Sequence, residues 1–230
     1  MGFLGFFLKI PFVFIRSKMK TKKEAVEIIE LLKKTYPDAT CSLDFTTPFQ
    51  MVIAVMLSAQ CTDERVNKTT PFLFAKADTP EKMSKLSLEE IELIIKPCGF
   101  YKNKAKNVLA CSKMLVQDFN GIVPDNMEDL QKLPGIGRKS ANVIMLEAFK
   151  NPKGIAVDTH AKRISNRIGF SSKLDPEKIE EDLLKVIPKE YYYDANHLFV
   201  WHGRATCDAR KPKCEVCKIK NYCKTYLKEK

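Results

Sequence analysis

The sequence announces helix starts one after another and contains almost nothing that alternates like a strand. Thr21 and Glu24 form a capping box, in which each side chain satisfies a backbone amide of the other. Behind them Ala25, Ile28, Ile29, Leu32 and Tyr36 recur at helical spacing. Thr47-Pro48 opens an apolar segment reaching Ser58; proline suits a first helical position, where its missing N–H has no partner to lose. Thr79-Pro80 repeats the device. Ser87 with Glu90 and Asp125 with Glu128 read as two more capping boxes, Asp175-Pro176 as another start, and Asp194 as the cap of a helix running to His202. Ile155-Ala156-Val157 is the best strand candidate and is too short to build a sheet. The pattern predicts an all-α protein without internal repeats. The turn residues Asn151-Pro152-Lys153-Gly154 mark a candidate domain seam.

The 230 residues carry a net charge of +11. A surplus of that size suits a polyanionic partner, either nucleic acid or an anionic membrane. The apolar stretch MGFLGFFLKIPFVFI at residues 1–15 is too short to span a bilayer and is interrupted by Lys9 and Pro11. It lacks the basic start and small-residue cleavage site of a signal peptide. We read residues 1–18 as an extension upstream of a domain that starts near Met19, with a peripheral anchor as the competing reading, and expect no stable membrane association.

Of the eight cysteines, Cys41, Cys61, Cys98 and Cys111 are scattered among apolar segments, whereas Cys207, Cys214, Cys217 and Cys223 crowd the end of the chain. Clustering of this kind in a long chain points to metal binding in a reducing compartment rather than to disulfides. Four thiolates spaced C-x6-C-x2-C-x5-C suit Zn²⁺ or an iron–sulfur cluster, and the spacing alone does not choose. The cysteines sit among Arg204, Arg210, Lys211, Lys213, Lys218, Lys220 and Lys224, which form either a solvated basic tail or a surface for a phosphate backbone.

Residues 133–142 read LPGIGRKSAN. A short helix ends near Leu133, the turn Pro134-Gly135-Ile136-Gly137 follows, and a second helix begins that is apolar almost all round from Val143 to Phe149 and must be buried. Gly135 and Gly137 leave backbone amides uncovered at a helix N-terminus, where an anion such as a DNA phosphate is favoured. Lys139 lies in the first turn. The positive helix end and Arg138 both disfavour an ammonium there, so Lys139 reads as an amine nucleophile or as a phosphate partner. Asp158, in GIAVDTHAKRI, reads as the cap of a helix from Thr159 to Ile168 or as a catalytic carboxylate, and the two roles are compatible. His160, Arg163 and Arg167 on that helix face either phosphate or solvent.

The string LPGIGRKSAN resembles the helix-hairpin-helix of DNA glycosylases, and nearly everything after Met19 is similar to the endonuclease III family. The resemblance implies two helical domains with a DNA-binding cleft between them. A six-helix barrel domain carrying the hairpin would span 41–151, and a discontinuous iron–sulfur domain would combine 19–40 with 152–230. It places the catalytic lysine at Lys139 and the catalytic aspartate at Asp158, where VDTH matches. It implies a [4Fe-4S] cluster on Cys207, Cys214, Cys217 and Cys223. LSAQCTDERVNK (57–68) looks like a loop that enters the duplex, with Gln60 filling the gap left by an extruded base. GFYKNKA (99–105) looks like a second such loop, with Phe100 as a wedge. Further DNA contacts fall to Gly135, Gly137, Arg138, His160, Lys211 and Lys213. Cys61 stands where Thr or Ala is more usual and Phe100 is bulkier than the frequent Leu, which leaves lesion preference open. The implied activity is a bifunctional DNA glycosylase and abasic-site lyase of base excision repair. It would excise oxidised pyrimidines and nick the strand by β-elimination, as a cytoplasmic monomer, nucleoid-associated if prokaryotic, acting on damaged or abasic double-stranded DNA. The alternatives are a monofunctional mismatch glycosylase, against which Lys139 argues, and a non-catalytic DNA-binding iron–sulfur protein.

Overall fold

A computed structural model describes residues 19–228, so the expectation for the apolar stretch 1–18 lies outside the described residues. Among the described residues there are twelve α-helices and no strand. In chain order they are α1 (Lys22–Thr35), α2 (Pro48–Ser58), α3 (Asp63–Lys76), α4 (Pro80–Met83), α5 (Leu88–Ile95), α6 (Tyr101–Asp118), α7 (Met127–Leu130), α8 (Arg138–Glu147), α9 (Thr159–Ile168), α10 (Pro176–Val186), α11 (Tyr192–Ala205) and α12 (Lys224–Lys228). None of the described helices is long and apolar enough to cross a membrane.

Most starts fall where the cap chemistry puts them. Thr21 accepts from the Glu24 amide while Glu24 reaches back to the Thr21 amide, and Ser87 with Glu90 repeats the arrangement. Thr47, Thr79 and Asp175 each cap a helix whose first residue is proline. Two expectations need correction. The cap of α7 is Asn126, one residue beyond Asp125: its backbone is extended and its Oδ1 accepts from the Asp129 amide at 2.9 Å. Asn and Asp cap about equally well, so adjacent copies cannot be ranked by type. Asp194 caps nothing. The short 3₁₀ turn Lys189–Tyr191 feeds directly into α11, which leaves Asp194 inside the first helical turn, 2.9 Å from Lys33 of α1.

Two separate apolar cores organise the helices. The first runs from Phe49 to Met145 and is built on α2 through α8. Its centre is α2, whose residues Met51 to Leu57 are all buried, as a helix apolar all round requires. The second takes Ala25, Ile28, Ile29 and Leu32 of α1 together with α9, α10, α11 and Ile219. Its largest buried rings are Phe170 and Phe199, with centroids 6.0 Å apart. Each such side chain removed from water contributes about 1.5–3 kcal/mol. The chain enters the second core, crosses to the first at α2 and returns after α8, so the first turns of α8 and α9 line one cavity between the cores.

Candidate active site

The turn before α8 shows why its sequence is glycine-rich. Gly135 has φ +83°, in the left-handed region, and a Cβ there would press on the Asn107 side chain. Ile136 points into the first core and is buried, pinning the turn. Gly137 is the cap residue of α8 and supplies no side chain to the first-turn amides. By contrast α1, α2, α3, α5, α9 and α10 are each capped by a Thr, Ser or Asp oxygen. The bare amides at α8 offer donors and a positive dipole end to an anion.

Lys139 is exposed in that first turn and lines a cavity of about 750 Å³ between the two cores. Asp158 lines the same cavity from the other side. It caps α9 by accepting from the Ala161 amide at 2.7 Å, which fixes one carboxylate oxygen. His160 also faces the cavity, and burial pushes its pKa below the ordinary value, toward a neutral ring. The cavity walls include Val55, Val143, Leu146, Val157 and Val200, so a flat apolar group can enter beside the two polar ones.

Arg138 is committed in a way that sequence reasoning missed. Its Nε donates to Glu180 of α10 at 2.7 Å, and Asn142 Nδ2 donates to the other oxygen of the same carboxylate at 2.8 Å. The Glu180 side chain is only 5% exposed, and the pairing raises the Arg138 pKa. Gly154 leaves room for this carboxylate: a Cβ there would overlap Glu180 Oε1. Asn196 of α11 then holds the segment leading to Asp158, donating to the Gly154 carbonyl at 3.2 Å and accepting from the Ala156 amide at 2.8 Å. Two polar groups, one around Glu180 and one around Asn196, therefore meet where Gly154 packs against the Glu180 and Asn142 side chains. Periodicity marks Glu180 only as one of several acidic residues on α10.

Gln60 and Phe100 share an unusual property. Both are exposed and both have left-handed backbone, with φ of 53° and 45°. Such a conformation costs a non-glycine residue about 1–2 kcal/mol, and strain of this kind clusters at functional sites. Lys104 ties their two loops together. It is buried, and its ammonium donates to the Leu57 and Cys98 carbonyls, each at 2.8 Å. Desolvation lowers its pKa.

Arg163 and Arg167 turn toward the cysteine loop rather than toward phosphate or solvent. Arg163 donates to the carbonyls of Gly203 and Cys207, and Arg167 to those of Asp208 and Ala209 at 2.6 and 2.8 Å. Asp208 accepts from the Arg210 and Lys211 amides. Lys213 reaches back to the Ala205 carbonyl at 3.0 Å, while the Lys211 side chain is exposed. The loop is thus fastened along its length to α9 and α11. Cys207, Cys214, Cys217 and Cys223 are unbridged, half-buried and arranged around a single cavity of about 260 Å³ walled by Ile168, Ile219 and Tyr226. Among the described residues no three His, Cys, Asp or Glu side chains converge closely enough for a single ion. Four soft sulfur donors spread around an apolar cavity fit a polynuclear cluster better than one zinc ion.

Comparison with known proteins agrees with this geometry. Residues 53–189 match the family described as HhH-GPD superfamily base excision DNA repair protein, and residues 207–223 match the iron-sulfur binding domain of endonuclease III. The chain is 47% identical over 207 residues to endonuclease III of Synechocystis sp., covering 90% of this chain and 94% of that one. It is 44% identical over 202 residues to endonuclease III of Escherichia coli, covering 88% and 95%. The structure of a trapped endonuclease III–DNA covalent intermediate superposes with a TM-score of 0.86 at 42% identity, covering 92% of this chain and 99% of that one.

Proposed function

The chain belongs to the endonuclease III family, and on that premise we propose that Lys139 and Asp158 carry its chemistry. The protein is a bifunctional DNA N-glycosylase and abasic-site lyase of base excision repair with a [4Fe-4S] cluster. The observation that supports the assignment is the shared cavity, with an exposed lysine on one wall and a fixed carboxylate on the other.

The free amine of Lys139 attacks the sugar C1′. An N–C1′ bond forms as the bond to the base breaks, and the base leaves with the electron pair and takes up a proton. Asp158 stabilises the positive charge that develops on the sugar. Loss of the Nζ proton and opening of the sugar ring give an imine. Removal of a C2′ proton then expels the 3′ phosphate by β-elimination, and water releases the lysine. Asp158 keeps its capping bond throughout, so its carboxylate enters the reaction already oriented.

Oxidised pyrimidines in double-stranded DNA are the substrates we infer, together with abasic sites. Base removal from a duplex needs the nucleotide out of the stack. Gln60 and Phe100, held on strained, exposed loops, would occupy the gap and wedge the step. The amides after Gly135 and Gly137 would hold phosphate, with His160, Lys211 and Lys213 extending the contact. Arg138 would add its remaining nitrogens while Glu180 holds its Nε. We assign the first core to a domain at 41–151 and the second to 19–40 with 152–230, acting as a cytoplasmic monomer, nucleoid-associated if prokaryotic. Cys207, Cys214, Cys217 and Cys223 would hold the cluster, which on binding supplies cross-links that order the basic loop. Multiple-turnover assay of a thymine-glycol duplex, with products resolved before and after alkali, tests this reading. Strand cleavage without alkali is expected; base release that needs alkali to nick the strand would indicate a monofunctional enzyme.

A further inference from the structure

Two sulfurs of the cysteine loop have a side-chain nitrogen beside them. Arg167 Nη1 lies 3.4 Å from Cys207 Sγ, but the same guanidinium is committed to the Asp208 and Ala209 carbonyls. His202 is placed differently. It is buried, it lines the cysteine cavity from α11, and its Nε2 lies 3.8 Å from Cys217 Sγ. Its other ring nitrogen is engaged too: Nδ1 is 3.0 Å from the hydroxyl of Tyr36, which caps the C-terminus of α1, and that hydroxyl is 2.7 Å from Thr206 Oγ1. The backbone of His202 is also fixed, its carbonyl accepting from the Thr206 and Cys207 amides at 3.0 and 2.7 Å. A line of hydrogen bonds therefore runs from Thr206 through Tyr36 and His202 to Cys217, and joins α1, α11 and the cysteine loop.

The direction of that line follows from the sulfur at its end. A cysteine bound to iron is a thiolate, which accepts hydrogen bonds and donates none. The Nε2 that faces it therefore carries the proton. In the neutral ring Nδ1 is then the acceptor, and the Tyr36 hydroxyl donates to it. With its proton spent there, the Tyr36 oxygen accepts from the Thr206 hydroxyl.

We propose that His202 tunes the iron–sulfur cluster: its Nε2–H donates to the Cys217 thiolate, Tyr36 holds it in that tautomer, and together they raise the cluster's reduction potential. Taking up an electron makes the sulfurs more negative, so a donor beside one of them stabilises the reduced state more than the oxidised one. His202 does not line the cavity of Lys139 and Asp158. It is a positioning residue that acts through Cys217, with no part in the attack on C1′. This inference rests on Cys217 being a cluster ligand.

Reduction potentials are measured on cluster-loaded protein by redox titration followed by electron paramagnetic resonance. His202→Leu removes the donor. At a fixed potential it should shift the ratio of reduced to oxidised cluster about tenfold toward the oxidised form, a fall of about 59 mV for one electron. His202→Gln keeps an N–H of similar reach and should stay within about threefold of the wild-type ratio. Tyr36→Phe releases the tautomer and should lower the potential by less than His202→Leu. A further readout needs no variant to fold and decides by itself if His202→Leu purifies without its cluster. In wild type carrying isotope-labelled histidine, pulsed resonance on the paramagnetic cluster should detect a coupled histidine nitrogen. The coupling should vanish in His202→Gln although the potential is kept. A wild-type potential in His202→Leu, a potential in His202→Gln as low as in His202→Leu, or no histidine coupling in wild type would overturn the inference. Wild type without iron–sulfur absorption would instead overturn Cys217 as a ligand.

Discussion

Replacing Glu180 with alanine isolates the contact that holds the first turn of α8 to α10. The carboxylate accepts from Arg138 Nε at 2.7 Å and from Asn142 Nδ2 at 2.8 Å. The two losses differ in weight. Arg138 has a side chain 43% exposed, so water replaces its partner at little net cost. Asn142 is buried at 2% and its Oδ1 already lacks a partner, so the variant leaves the whole amide unsatisfied. An orphaned buried donor costs about 1–3 kcal/mol, and the space vacated beside Gly154 adds to that, for a total of about 2–4 kcal/mol. At roughly 2–4 °C per kcal/mol for a chain of this size, the melting temperature should drop by about 4–16 °C. Arg138 and Lys139 are neighbours in the first turn of α8, so loosening one moves the other. A displacement of about 1 Å costs up to about a hundredfold in rate. Thermal melts followed by circular dichroism and single-turnover borohydride trapping on an abasic duplex measure both. A melting temperature within about 1 °C of wild type together with a trapping rate within about twofold would refute the positional role.

The other expectations follow the same logic. Gly154→Ala attacks the network from the opposite side: its Cβ overlaps the Glu180 carboxylate, so it should reproduce the loss of stability and trapping seen by the same two measurements. Asp158→Asn keeps a good cap and should leave the melting temperature nearly unchanged while base release falls about a hundredfold or more; Asp158→Ala should lose about 1 kcal/mol in addition. Phe100→Gly removes an exposed ring and relieves left-handed strain, so stability should hold or rise by up to about 1 kcal/mol while binding to a lesion duplex weakens. Cys217→Ser should abolish the visible iron–sulfur absorption of the purified protein and loosen the 207–223 loop to proteolysis.

The helices were legible because capping is local chemistry: a Thr-Pro pair or a Ser with a Glu three residues on leaves few alternatives. Where two adjacent residues cap equally well, as at Asp125-Asn126, the sequence is degenerate and the start slipped by one. The convergence of Lys139 and Asp158 on one cavity, and of the four cysteines on another, was legible because each sits in a compact string. Glu180, Lys104 and Asn196 were not. Each acts across a separation that no spacing rule spans, and each looks like an ordinary charged or polar residue until the fold buries it. The arginines of α9 show the converse. Their charge suggested an outward face toward phosphate or solvent, and their geometry turns them inward to carbonyls of α11 and the cysteine loop.

Borohydride reduction during reaction with a thymine-glycol or abasic duplex tests the nucleophile most directly. Wild type should yield a covalent protein–DNA adduct whose modified residue, located by peptide mapping, is Lys139, and Lys139→Ala should yield none while still binding the duplex. An adduct that persists undiminished in Lys139→Ala, or that maps to another amine, would contradict the assignment.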